Sequence, residues 1–170
     1  MRGIDNMKYK FYAIADLHFN HKNIIEYCDR PFSTVEQMND YMIEQWNNTV
    51  SISDTIYLLG DVGFGNANEL SQLINQLNGN KILIMGNHDR RISKSHNKWL
   101  EMGFDCVRKN PIQIKNYILS HEPQEILHDS INVNIHAHIH NTTLNSKFNK
   151  DNHICVSVEV VDYKPRLFEI

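Results

Sequence analysis

The chain has 170 residues, 41% hydrophobic and 22% charged, with a formal net charge of −3. That length suits a single domain over residues 1–170, and the near-balanced charge excludes a polyanion-coating protein or a long basic arm. No apolar run approaches the about 18 residues of a transmembrane helix, and residues 1–10 carry no apolar secretory core. Residues 9–15 are apolar-rich and stop at Asp16, as a buried strand does. Ser33, with Glu36 three residues on, reads as a capping box opening a helix to about residue 48. Val35, Met38, Met42, Ile43 and Trp46 recur along it at helical spacing and mark a core face. Residues 55–59 read as a second strand, ending at Gly60-Asp61. Residues 67–77 read as a helix with Leu70, Leu73, Ile74 and Leu77 on one face, stopped by Gly79. Residues 81–85 read as a third strand ending at Gly86, and a short helix is expected over 93–102. Beyond it, 104–107, 112–114, 117–120, 131–137, 154–161 and 166–170 are strand-like, with a polar loop over 141–152. Strand and helix alternate in the front half and strands dominate the back, which predicts two sheets with helices on the outer faces.

Cys28, Cys106 and Cys155 form no paired motif, which argues against a disulfide framework and fits a reducing cytoplasm. Cys106 and Cys155, inside strand-like runs, read as small buried hydrophobes.

The chemistry gathers where strands end. The first strand runs into Asp16-Leu17-His18, the second into Gly60-Asp61-Val62-Gly63, and the third into Gly86-Asn87-His88-Asp89. Later strands end at Ser120-His121 and at His136-Ala137-His138-Ile139-His140. Strand side chains alternate with period two, so Asp-x-His and His-x-His aim both donors at one cavity. Carboxylate, amide and imidazole donors without thiolate suit Mn, Fe, Zn, Co or Ni, and argue against a structural cysteine zinc site. Asp16, His18, Asp61, Asn87, His121, His138 and His140 are too many for one ion, so two ions are expected. Asp61, from the central strand of the set, is the natural bridge, and the flanking Gly60 and Gly63 allow close backbone approach.

This ordered set, Asp16-x-His18, Gly60-Asp61, Gly86-Asn87-His88-Asp89, Ser120-His121 and Ala137-His138-x-His140, resembles the calcineurin-like metallophosphoesterase superfamily. The resemblance runs over about residues 8–165 and is greatest to the small single-domain bacterial and phage-type members. The segment Phe19-Asn20-His21-Lys22-Asn23-Ile24-Ile25, Arg30-Pro31-Phe32 and the ending from Val156 to Pro165 share it. It implies an α/β fold (α+β in some schemes): a four-layer αββα sandwich of two mixed sheets, the metallo-dependent phosphatase fold. It assigns one metal to Asp16, His18, Asp61 and His140, and the second to Asp61, Asn87, His121 and His138. It sets His88 outside the metals facing the substrate, with Asp89 orienting or charge-tuning it. Ala137 and Ser120 stand where the family often has glycine; both are small enough to keep the backbone path.

The implied cofactors are two divalent or trivalent ions, manganese first, with Fe, Zn, Ni and Co as alternatives. Two such ions share a water, lower its pKa to about 7 and direct the hydroxide in line at phosphorus, while His88 protonates the leaving oxygen or binds the phosphoryl group. The expected substrate is a small phosphodiester or phosphomonoester such as a nucleotide. A nuclease or nucleic-acid-end phosphatase ranks lower, because no aromatic-basic stripe marks a strand path. A non-catalytic metal-binding scaffold is disfavoured by the retention of His88 and the full ligand set. No membrane partner is expected, and oligomeric state is not written in these patterns. Among weaker candidates, Asn20 and His21 read either as pocket-mouth or as surface residues, Arg30 as a bidentate phosphate donor or a helix-capping or surface arginine, and Arg90 or Arg91 as a contact to substrate or to a carboxylate behind the ligands. His136 reads as support behind the ligands, and His96, His128 and His153 as surface histidines. The basic set Arg90, Arg91, Lys94, Lys98, Arg108 and Lys109 reads either as a steering patch for an anionic substrate or as a solvated face.

Overall fold

The computed structural model describes residues 9–126, 131 and 133–170; His128 lies outside them. Two sheets form. In the first, β1 (Lys10–Ile14), β2 (Thr55–Leu58), β3 (Asn80–Ile84) and β4 (Cys106–Arg108) run parallel in the order β4-β3-β2-β1. In the second, β5 (Ile112–Ile114), β6 (Tyr117–Leu119), β7 (Val133–His136) and β8 (His153–Cys155) lie in sequence order, with only β5 antiparallel to its neighbour. The last strand, β9 (Arg166–Glu169), closes the first sheet antiparallel to β1. This is the α/β architecture of two mixed sheets that the resemblance implies.

Period-two alternation sorts the core. Phe11, Ala13 and Ala15 from β1 and its end, with Tyr57 and Leu59 of the second strand segment, join Leu119, Ile135, Ala137 and Val156 between the sheets. Ile14, Ile56, Leu58 and Leu83 project the other way, onto the helices. There α2 (Val35–Thr49) inserts Met38, Met42 and Trp46, α3 (Ala67–Ile74) inserts Leu70 and Ile74, and α5 (His96–Glu101) inserts Trp99. Each such fully buried side chain contributes about 1.5–3 kcal/mol. The short helices α1 (Ile24–Tyr27) and α4 (Asp89–Ile92) add Ile24 and Ile92 to the same core. Among the described residues no helix is long and apolar enough to cross a membrane.

Local expectations shift in four places. Thr34, not Ser33, caps α2, its hydroxyl accepting from the Gln37 amide at 3.2 Å. The capping box belongs instead to α3, where Asn66 and Glu69 satisfy each other's backbone amides. The 154–161 run is a strand only to Cys155. Ser157 then bridges Ala15, Val158 donates to the Ala15 carbonyl, and the chain turns through Asp162 and Tyr163 at φ 52° and 58°. Finally, Cys28 is the buried cysteine, while Cys106 and Cys155 are half-buried.

Candidate metal centre

The strand ends deliver their polar side chains to one rim, but by a different backbone route from simple alternation. β1 stops at Ile14 and β7 at His136, before the ligand pairs begin. Asp16, His18, Asp61, His138 and His140 all lie in the left-handed region, at φ 58°, 49°, 54°, 70° and 49°. Each such residue costs about 1–2 kcal/mol of backbone strain, and Asp, Asn and His tolerate it best. The pairs converge because tight left-handed turns re-aim them, not because an extended strand presents them on one face. Gly60 is needed here too: at φ 89°, its Cβ would lie 2.5 Å from the Gly86 amide and 2.7 Å from His121 Nδ1. A Cβ on Gly86 would collide with Asp61 Oδ1. Two polar loop ends are thereby pressed together.

Two donor groups result. Asp16, His18 and His140 bring ligand atoms within 4.8 Å of one another, and so do Asp61, His121 and His138. Asn87 Oδ1 joins the second group at 3.0 Å from His121 Nε2, with His138 Nδ1 at 3.1 Å from the same nitrogen. Between the groups stands Asp61 Oδ2, 3.7 Å from His18 Nε2 and 3.5 Å from His121 Nε2. Among the described residues, Asp16 Oδ1 and both His18 ring nitrogens are buried without a hydrogen-bond partner. Unsatisfied buried donors and acceptors are costly, so such a set fits a bound cation.

The surroundings fix which atom each ligand offers. His121 Nδ1 contacts the Leu59 carbonyl at 2.7 Å, so it carries the proton and Nε2 faces the cluster. His140 Nδ1 is held by Glu159 at 3.0 Å. Asp16 Oδ2 accepts from the Ser157 hydroxyl and the His138 amide, leaving Oδ1 free. Burial, reinforced by His140 and Arg30, pushes the His18 imidazole far down and keeps it neutral, the form that ligates. Burial opposes charge on His140 as well, but Cys28, Glu159 and Asp16 outweigh it and raise its pKa to about 10. A metal ion bound at that ring would displace one of its protons. Cys28, His140 and Glu159 also form a donor trio; because Glu159 is bound to Arg30, this trio backs His140.

Several expected roles change. Arg30 is 4% exposed, and it donates to the Asp16 and Leu17 carbonyls and to Glu159 at 2.7–2.9 Å. Its donors are spent inside the fold, so it braces the first ligand turn instead of meeting a substrate phosphate. Asp89 does not touch the His88 ring in this arrangement: its carboxylate accepts from the Asp61, Val62 and Gly86 amides at 2.7–2.9 Å. It ties the β2 loop to the β3 loop, although burial and the Asp61 charge raise its pKa to about 6. Asn20 spends its amide on Asn39 and the Phe64 carbonyl. His136 meets its own neighbour's carbonyl and the His153 ring, away from the two donor groups. His153 is half-buried, Nε2 bonded to the Gln124 carbonyl, and is not a plain surface residue; His96 is exposed.

Other residues do reach the rim. His88 keeps a 27% exposed side chain, with Nε2 3.9 Å from Asp61 Oδ2. His21 is half-buried, its ring 4.1 Å from Phe64 and 5.8 Å from His18. Arg91 shares a cavity of about 450 Å³ with His88 and Phe64, and Arg90 borders one of about 170 Å³ with Asn87 and His121. Three contributors carry no motif in the sequence: Glu159, Ser157 and Phe64, whose ring packs on His18, His21 and His88. The signal for Glu159 is a lone acid between Val158 and Val160.

The family model described as calcineurin-like phosphoesterase matches residues 9–163. An uncharacterized protein of Methanocaldococcus jannaschii is 39% identical over 164 residues, covering 92% of this chain and 85% of its own. The gene 66 protein of Mycobacterium phage L5 is 31% identical over 78 residues, 44% of this chain and 37% of the phage protein. The crystal structure of a protein of unknown function from Aquifex aeolicus superposes with a TM-score of 0.69 at 27% identity, covering 93% of this chain and 95% of that one.

Proposed function

Since the chain belongs to the calcineurin-like phosphoesterase family, we propose that it hydrolyses a phosphodiester at a two-metal centre, with a phosphomonoester as the second choice. The observation that carries this reading is Asp61 Oδ2, which stands 3.7 Å from a ligand of one donor group and 3.5 Å from a ligand of the other. Asp16, His18, His140 and Asp61 would hold one ion, and Asp61, Asn87, His121 and His138 the other. Manganese suits such hard and borderline donors. Two ions bound there supply an acidified water and positive charge against the equatorial phosphoryl oxygens.

The chain's own side chains do the rest. Leu59 and Glu159 fix the tautomers of His121 and His140, so each presents one nitrogen in a set direction. His88 is close enough to the cluster to bind a phosphoryl oxygen or protonate the leaving oxygen. Phe64 covers the cluster on the His18–His88 flank and limits water there. Cavities open on both sides of the Asn87-His88 turn. A diester has two ester limbs to accommodate, and two flanking cavities favour it over a monoester.

The test is hydrolysis of bis-p-nitrophenyl phosphate against p-nitrophenyl phosphate by protein reconstituted with manganese. Metal-dependent turnover with the diester preferred is expected, together with loss of both turnover and bound metal in Asp61→Ala. Two bound ions with neither reporter hydrolysed would overturn the proposal.

A further inference from the structure

The basic stretch that the sequence left open separates in space. Arg91 and Lys98 line the cavity beside His88, whereas Arg90, Lys94 and Lys109 line the opposite flank. On that flank two cavities, of about 170 and 280 Å³, share Met85, Arg90 and Lys109. They make one groove from Asn87 and His121 outward to Lys94 and Asn110. The Arg90 guanidinium is anchored at its midpoint by a 3.0 Å bond to the Lys109 carbonyl. Among the described residues none of these three cations has a carboxylate within ion-pair distance. One acid, Glu122, lines the inner cavity near the donor groups. Unpaired cations converging on one groove of a chain with net charge −3 are a local exception to its overall charge, and such a groove concentrates anions. The inner part is bordered by Ile84, Met85 and Pro111. Arg90 and Lys109 border both cavities and Lys94 only the outer one, so cations line the groove from beside the ligand cluster outward, as a second phosphate beyond the reacting one requires.

We infer that this groove binds a second phosphate of the substrate, one sugar beyond the phosphate that reacts. The substrate class is accordingly a nucleoside or strand bearing at least two phosphates. This inference rests on the phosphoesterase reading above. Arg90 offers a fork of donors to that phosphate, and Lys94 and Lys109 offer compact charge.

Calorimetry on the manganese-loaded protein provides the test, with thymidine 3′,5′-bisphosphate and thymidine 5′-monophosphate as probes. The bisphosphate is expected to bind about tenfold tighter, the return of one charge-assisted contact, with the gap narrowing as salt rises. In Lys94→Ala/Lys109→Ala the gap should close. Equal affinities in the unaltered protein, or a gap that survives in the double variant, would overturn the inference. Turnover of bis-p-nitrophenyl phosphate, which carries one phosphate, keeps the two readings apart. Normal turnover without a gap sinks the groove alone. A lysine-dependent gap without turnover sinks the hydrolase and leaves the groove as an anion site. An oligothymidylate that binds tighter than the bisphosphate assigns the groove to a strand, and equal binding assigns it to a single added phosphate.

Discussion

Glu159→Gln separates fold support from metal support in one substitution. The Glu159 carboxylate is about 5% exposed and carries two loads: it receives Arg30 at 2.7 and 2.9 Å and holds His140 Nδ1 at 3.0 Å. The Arg30 side chain is fully buried and also fastens the Asp16 and Leu17 carbonyls. Removing one partner of such a pair leaves an uncompensated buried charge, at about 3–5 kcal/mol. For a chain of this length each kcal/mol lowers Tm by about 2–4 °C, so a fall of about 10 °C is expected. The amide also turns a donor toward His140, whose ring then loses its fixed tautomer. Loss of such a partner lowers metal affinity about 10–100-fold. The assay is thermal unfolding in chelator, followed by manganese titration. One site should weaken while the site built on His121 and His138 keeps its affinity. A variant that unfolds within a degree or two of the parent and binds both ions unchanged would refute this account.

Other consequences are as direct. Asp89→Asn should cost about 3 kcal/mol in urea unfolding, since an amide cannot accept from the Asp61, Val62 and Gly86 amides together; unchanged stability with an altered pH–rate profile would instead return Asp89 to a partnership with His88. His88→Ala should keep both ions, measured by elemental analysis, while turnover of bis-p-nitrophenyl phosphate falls about 10²–10⁴-fold; undiminished turnover removes His88 from the chemistry. At position 138, with φ 70° and an exposed side chain, glycine should be more stable than alanine by about 1 kcal/mol in chelator, because only alanine pays the left-handed strain. Alanine equal to glycine would show that the turn relaxes.

The ligand set was readable because each member closes an apolar run, and a buried strand tolerates little else polar. Its geometry was not, because φ is not written in residue types: Asp16 and His18 satisfy a period-two rule and a left-handed turn equally well. The resemblance pairs Asp89 with its sequence neighbour His88, yet its partners are the Asp61, Val62 and Gly86 backbone amides, which leave no signature in side-chain identity. Arg30 and Glu159 lie 129 positions apart, and only the return of the chain after β8 brings them together. Glu159 itself lay in a run that passes for a strand, and that run ends early because Ser157 and Val158 pair with Ala15. Thr34 and Ser33 are adjacent hydroxyls, either able to cap, and the entry of the chain into α2 selects between them.

The left-handed turns also bear on how such a chain can change over generations. Aspartate, asparagine and histidine are at once good metal donors and the residues most at home at positive φ. Selection for the backbone path and selection for the ion therefore draw on one small alphabet. Glycine is the replacement that satisfies the path while discarding the donor. A lineage released from catalysis could thus shed its ions through glycine at positions such as 138 and 140, keep its shape, and persist as a binding platform. In any relative of this fold, glycine at these turns is the mark to look for when asking whether the chemistry has been given up.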